Sequence, residues 1–232
     1  MFQVKNLQCE RGGRELFADL DFQLEAGQAL QIVGKNGAGK SSLIRILAGL
    51  LRADAGNIFW KGEAFLTKPF SNEDSYPKDL LYIGHKAGVN LQLTAEQNLS
   101  WYSQLYANAE SNIALLMEQA FKEWQLYGFE DLPCYMLSAG QQRRVALCRL
   151  ILEKKSLWLL DEPLVSIDNS GIEILNTLAK LHLKQGGCLI FSSHQALELD
   201  GQVKVLNLDD YSHILSRNTE FHLGESLGAE KC

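Results

Sequence analysis

Eight residues, "GKNGAGKS" from Gly34 to Ser41, have the spacing G-x-x-x-x-G-K-[ST] and stand between an apolar run, "ALQIV", and an amphipathic one, "SSLIRILAGLL". The chemistry that suits this pattern is phosphate binding. Glycines let backbone N–H groups turn inward around phosphate oxygens, and the following helix offers its positive N-terminal end to the same anion. On this reading Gly34, Lys35, Asn36, Gly37, Ala38, Gly39, Lys40, Ser41 and Ser42 form the nucleotide-binding segment. Lys40 reaches the β- and γ-phosphates, and the Ser41 hydroxyl ligates Mg²⁺. The alternative, a glycine-rich turn that merely joins strand to helix, is disfavoured by this context.

A second chemical group lies far along the chain. "SLWLLDEP" reads as a buried strand that ends in two carboxylates, Asp161 and Glu162. A carboxylate at the C-terminal end of such a strand can hold Mg²⁺, directly or through water, and its neighbour can polarise an attacking water. Asp161 is therefore the metal-side candidate and Glu162 the candidate general base. Acidic residues at strand ends are common, and it is the combination with the phosphate loop that gives this pair its weight.

The elements that must position these groups can be read from periodicity. "FQVKNLQCE", "LFADLDFQLEAG" and "ALQIVG" read as strands, after which Leu43, Ile44, Ile46, Leu47 and Leu50 fall on one helical face. "NIFWKGEAF" reads as one further strand, followed by the polar stretch "LTKPFSNEDSYPKD". Residues 94–136 have a helical pattern, and a further helix is expected over "AGQQRRVALCRLILEK". "SLWLLDEP" and "CLIFSSH" are buried-strand runs on either side of the helix "SGIEILNTLAKLHLKQ", an alternation that implies a parallel α/β sheet.

Composition narrows the function classes. An apolar share of 46% and a charged share of 22% are those of a globular protein, and a net charge of −6 disfavours a general nucleic-acid coat. No window matches a membrane-spanning helix or a signal peptide, so the chain is expected in the cytosol. Cys9, Cys134, Cys148, Cys188 and Cys232 form no C-x-x-C pair, which points to reduced, mostly buried thiols.

"LSAGQQRRVALCRL", from Leu137 to Leu150, lies between the two chemical groups. Here the chain resembles the nucleotide-binding subunits of ATP-binding-cassette (ABC) transporters, whose signature is L-S-G-G-Q. The resemblance implies that Ser138, Ala139, Gly140 and Gln141 bind the γ-phosphate of ATP held by the opposite subunit, a role suited to a helix start. "LVSID" resembles the family's D-loop, with Asp168 meeting the partner subunit, and His194 in "IFSSHQAL" resembles the switch histidine at the γ-phosphate. His182, His213 and His222 match no motif.

In "LLYIGHKAGVN", followed by "LTAEQNL", His85 stands where the family usually has a glutamine that contacts Mg²⁺ and attacking water and faces the membrane partner. Imidazole has one hydrogen bond to offer or accept there and can charge near neutral pH, unlike an amide. With "RGGRELF" and "SSHQAL", this histidine resembles the ATP-binding subunits of bacterial cytochrome c maturation (haem export) systems. Arg11 stands where many cassettes have an aromatic residue stacked on adenine.

The resemblance implies a P-loop α/β cassette with a mixed or parallel sheet core, an antiparallel β edge and an inserted helical subdomain at about 94–136. The ATP-binding domain would span 2–206, with a tail of unknown role over 207–232. It also implies ATP and Mg²⁺ as ligands, head-to-tail homodimerisation, integral membrane subunits as partners, indirect contact with haem delivery machinery, and a peripheral place on the cytoplasmic face of the inner membrane. Two other readings stay open from sequence: an ABC ATPase exporting another substrate, and a nucleotide-gated scaffold with little turnover.

Overall fold

Two sheets share the work of the fold. A computed structural model describes residues 1–65, 78–106, 112–201 and 203–212. Strands β1 (Phe2–Arg11), β2 (Arg14–Leu24), β4 (Ala55–Trp60) and β5 (Glu63–Ala64) form an antiparallel sheet in the order β2-β1-β4-β5. Strands β3 (Ala29–Val33), β6 (Leu80–Ile83), β7 (Leu157–Asp161), β8 (Cys188–Ser192) and β9 (Val203–Asn207) form a parallel sheet in the order β6-β7-β8-β3-β9.

The central strands of the parallel sheet are apolar along most of their length because both faces are covered, the polar exceptions being Gln31, Asp161 and Ser192. Leu157 and Leu159 of β7, with Cys188 and Ile190 of β8, pack toward helix α1 (Lys40–Leu47) and the antiparallel sheet. Trp158, Leu160, Leu189 and Phe191 alternate to the opposite face. There they meet α2 (Ala95–Tyr106), α3 (Ile113–Glu123), α4 (Ala139–Leu147) and α6 (Asn169–Lys184). Cys9, Cys134, Cys148 and Cys188 are free, buried thiols. No described helix is long and apolar enough to cross a membrane.

Several local expectations change. α1 stops at Leu47, Gly49 turns at φ 71°, and Leu50 is exposed rather than part of the buried face. "NIFWKGEAF" is a hairpin, because Lys61 and Gly62 both take positive φ and reverse the chain. The helical pattern expected to Met136 ends at Glu123; the following segment is irregular, pinned by a bridge between Thr94 and Pro133, and closes in a 3₁₀ turn over Cys134–Met136. The helix expected over 139–154 is broken at Cys148 into α4 and the short α5 (Arg149–Leu152).

Strand β9 has no clear signature in sequence, since it is an edge strand with Val205 exposed and only Leu206 buried. A 3₁₀ turn, Leu208–Tyr211, follows and buries Leu208 in the core. "LTKPFSNEDSYPKD" lies almost wholly outside the described residues, as do His213, His222, Cys232 and the rest of the tail from 213.

Candidate nucleotide site

The parallel sheet gathers the chemistry at its carboxyl edge, as open α/β sheets do. The phosphate loop follows β3, His85 follows β6, Asp161 and Glu162 end β7, and His194 follows β8. Gly39 precedes α1 with φ 104°, a left-handed conformation that favours glycine and lets the loop close onto the helix start. Lys40 is buried and its Nζ donates to the carbonyl oxygens of Gly34 (2.8 Å) and Lys35 (3.3 Å), which places the ammonium inside the loop.

Asp161 is fully buried, and its Oδ1 accepts from Ser41 Oγ (3.0 Å) and Ser192 Oγ (2.8 Å). Its Oδ2 is buried with no hydrogen-bond partner among the described residues. A buried carboxylate with one oxygen uncommitted, beside a serine hydroxyl, fits a hard divalent cation that takes few protein ligands and completes its shell with phosphate and water. Among the described residues no cluster of three or more His, Cys, Asp or Glu side chains could hold a metal by itself.

Glu162 takes φ 50°, an uncommon conformation for a side chain of this size. Its N–H donates to the Ser192 carbonyl oxygen (3.1 Å) and Oγ (3.0 Å), so Ser192 orders both carboxylate residues. Its Oε1 lies 3.9 Å from His194 Nε2; the Glu162 side chain is largely covered and the imidazole is exposed. A cleft of about 470 Å³ is lined by Lys40, Ser41, His85, Glu162 and His194 together with Asn36 and Leu16. So the chain brings together the phosphate loop, both histidines and the base candidate.

It does not bring Ser138, Ala139, Gly140 and Gln141 to that cleft. They begin α4 elsewhere on the molecule, where Ser138 Oγ accepts from the Gln141 N–H (3.2 Å) and Gln141 Oε1 from the Ser138 N–H (2.9 Å), a reciprocal cap. A Cβ on Gly140 would lie 2.6 Å from the Ser166 carbonyl oxygen, so this glycine permits the close passage of the "LVSID" loop. Asp168 caps α6 through the Gly171 N–H (3.0 Å) and pairs with Arg144 (2.5 Å). The Gly171 hydrogen bond first, then Arg144, holds its carboxyl down at about 2. Arg11 is held by Asp54 (3.0 Å) and the Arg52 carbonyl (2.5 Å), which ties its guanidinium to that loop.

Three site-building residues escaped sequence reasoning. Ser192 is one. Gln31, a polar residue inside the apolar run of β3, donates to the carbonyls of Ser193 (3.1 Å) and Gln195 (3.2 Å) on either side of His194. Arg143 is buried in α4 and donates to backbone carbonyls near Glu162 and His85. The only signal for these residues was polarity at positions where the periodicity demands burial.

A P-loop fold with a phosphate loop, a strand-end carboxylate pair and a separate helix-capping signature defines an ATP-binding cassette. The family model described as "ABC transporter" matches residues 17–165, and the chain belongs to that family as an ABC-type ATPase domain. It is 45% identical to the cytochrome c biogenesis ATP-binding export protein CcmA of Escherichia coli O157:H7, over 86% of this chain and 91% of that one. It is 43% identical to the protein of the same name from Vibrio cholerae, over 90% and 99%. Among solved structures it resembles a dimeric bacterial ABC transporter cassette (TM-score 0.77, 20% identity, 90% of this chain and 95% of that one). It also resembles a dimeric cassette in a post-hydrolysis state bound to ADP and Pi (TM-score 0.71, 21% identity, 84% and 88%).

Proposed function

We propose that this chain is the ATP-hydrolysing subunit of an ABC transporter complex that acts in cytochrome c maturation, driving export of haem toward a periplasmic haem chaperone. The observation that carries the ATPase chemistry is the contact of the buried Asp161 with Ser41, which lines a cleft together with Lys40, Glu162 and His194. The cytochrome assignment is supported by the 45% and 43% identity to the CcmA proteins of Escherichia coli O157:H7 and Vibrio cholerae. His85 in the same cleft agrees with it.

In this reading the loop Gly34–Ser42 wraps the phosphates and Lys40 neutralises charge on the β- and γ-oxygens. Ser41 and Asp161 hold Mg²⁺, which when bound offsets the phosphate charge. Glu162 accepts a proton from the water that attacks the γ-phosphorus in line, and ADP leaves as the opposite bond breaks. His194 positions the γ-phosphate. Ser138, Ala139, Gly140 and Gln141 complete the site of a second copy, and Asp168 lies at that junction, so a head-to-tail homodimer encloses two nucleotides. The ATP-binding domain takes residues 2–206 with its helical subdomain near 94–136, and the packed core continues past it through the Leu208–Tyr211 turn, so the tail read over 207–232 does not begin at 207. Integral membrane subunits dock beside His85, which keeps the chain peripheral on the cytoplasmic face of the inner membrane.

The test is covalent haem in c-type cytochromes of a strain lacking the protein, complemented with the wild type or with Glu162→Gln. Rescue by the wild type alone is expected. Rescue by both would mean that hydrolysis is dispensable and would favour a nucleotide-gated scaffold. Unchanged covalent haem on deletion would leave an ABC ATPase serving another substrate.

A further inference from the structure

The guanidinium of Arg143 is buried, and among the described residues its hydrogen bonds go to backbone carbonyls rather than to a carboxylate oxygen. Nη1 donates to the carbonyl oxygens of Gly84 (2.7 Å) and His85 (3.5 Å). Nη2 donates to those of Asp161 (3.1 Å) and Glu162 (3.0 Å), and Nε to that of Pro163 (3.4 Å). One planar fork thus spans two loops that are far apart in sequence, a task suited to the several fixed donors of arginine. Burial lowers its pKa to about 10, with Asp161 and Glu162 opposing the shift, so the cation persists at neutral pH.

The peptide groups of Glu162 are consequently clamped from both sides. The N–H is taken by Ser192 and the C=O by Arg143, across a residue held at φ 50°. Such a conformation persists only where its surroundings fix it. Arg143 also belongs to α4, the helix that Ser138 caps.

We propose that Arg143 is a positioning residue that locks the Glu162 turn and the His85 loop to the signature helix, so that engagement of Ser138–Gln141 by the opposite nucleotide is registered at this chain's own hydrolytic site. The functional half of this inference rests on the ATPase reading above. The structural half is separable from it, since the hydrogen bonds of Arg143 join parts of this chain alone and are read by amide exchange without any ATP turnover.

Two measurements test it on the full chain. In membrane vesicles carrying the assembled complex, Arg143→Met should lower kcat for MgATP by about 30-fold, while affinity of the purified chain for a fluorescent ATP analogue stays within about 3-fold, because the phosphate loop is untouched. Arg143→Lys, which keeps the charge but not the fork, should recover about half of the loss on a logarithmic scale. In amide exchange without nucleotide, peptides covering 84–87 and 161–165 of either variant should exchange at least about 5-fold faster, with those of β1 and α1 unchanged.

Wild-type kcat in both variants, alongside inactive Glu162→Gln, would overturn the proposal. So would unchanged exchange in the two loops, or an equal increase in every peptide, which would mark a merely structural role. Activity in Glu162→Gln would instead sink the assignment of the base and leave the exchange data to decide the role of Arg143.

Discussion

Ser41 Oγ donates to Asp161 Oδ1 across 3.0 Å, although the two residues are 120 positions apart in the chain. The contact joins the first turn of α1 to the end of β7, and Asp161 Oδ2 stays buried with no hydrogen-bond partner among the described residues. Two oxygens from two elements therefore converge on one spot beside the phosphate loop.

Asp161→Asn keeps the shape and removes the charge that suits a divalent cation. The Mg²⁺ concentration for half-maximal ATP turnover should rise by at least about 10-fold, with turnover at saturating nucleotide falling about 100-fold. A magnesium titration like that of the wild type would remove Asp161 from the metal site.

Lys40→Ala takes away the buried ammonium that the loop carbonyls of Gly34 and Lys35 hold in place. A hydrogen bond to a charged group contributes about 1.5–3 kcal/mol, so ATP affinity should fall by roughly 10- to 100-fold. Unchanged affinity in equilibrium binding would exclude the loop as the phosphate site.

Glu162→Gln preserves the backbone clamp by Ser192 and loses only the proton acceptor. The variant should bind ATP, fail to turn it over, and run as a dimer in size-exclusion chromatography with ATP present. A persistent monomer under those conditions would count against a composite site made with Ser138–Gln141 of a second copy.

His182 gives a pH prediction for stability. Its ring is buried, stacks on Trp158 at 3.9 Å and 6°, and its Nε2 donates to the Cys188 carbonyl oxygen (3.1 Å). Burial lowers its pKa from 6.5 to about 4. Between those values the unfolded chain binds a proton that the native state refuses, so this contribution is complete above pH 6.5 and lost as pH falls toward 4. In that window His182→Gln should weaken the fall of stability by up to about 1.4 kcal/mol per pH unit, read from urea midpoints. Parallel curves would show that the imidazole does titrate in the folded protein.

Legibility followed locality. The turn-and-helix of Gly34–Ser42 was readable because phosphate binding, helix start and strand exit are properties of consecutive residues, and the structure has a strand, this loop and α1 in that order. The strands of Leu157–Asp161 and Cys188–Ser192 were readable because burial on both faces demands an unbroken apolar run. The break at Cys148, the hairpin at Lys61–Gly62 and the exposure of Leu50 were not, since each depends on what packs against a segment as well as on its period.

By itself, then, the sequence determined which residues could bind phosphate, hold a cation and take a proton, because those roles follow from residue type and short-range spacing. Only the tertiary structure decided which of them meet. Parallel pairing of β3, β6, β7 and β8 brings Lys40, Ser41, His85, Asp161, Glu162 and His194 to one sheet edge, while α4 carries Ser138–Gln141 away from it. Register between strands remote in sequence sets that arrangement, and so does the search of buried polar groups for partners. For that reason Ser192, Gln31 and Arg143 emerged as site builders only in three dimensions.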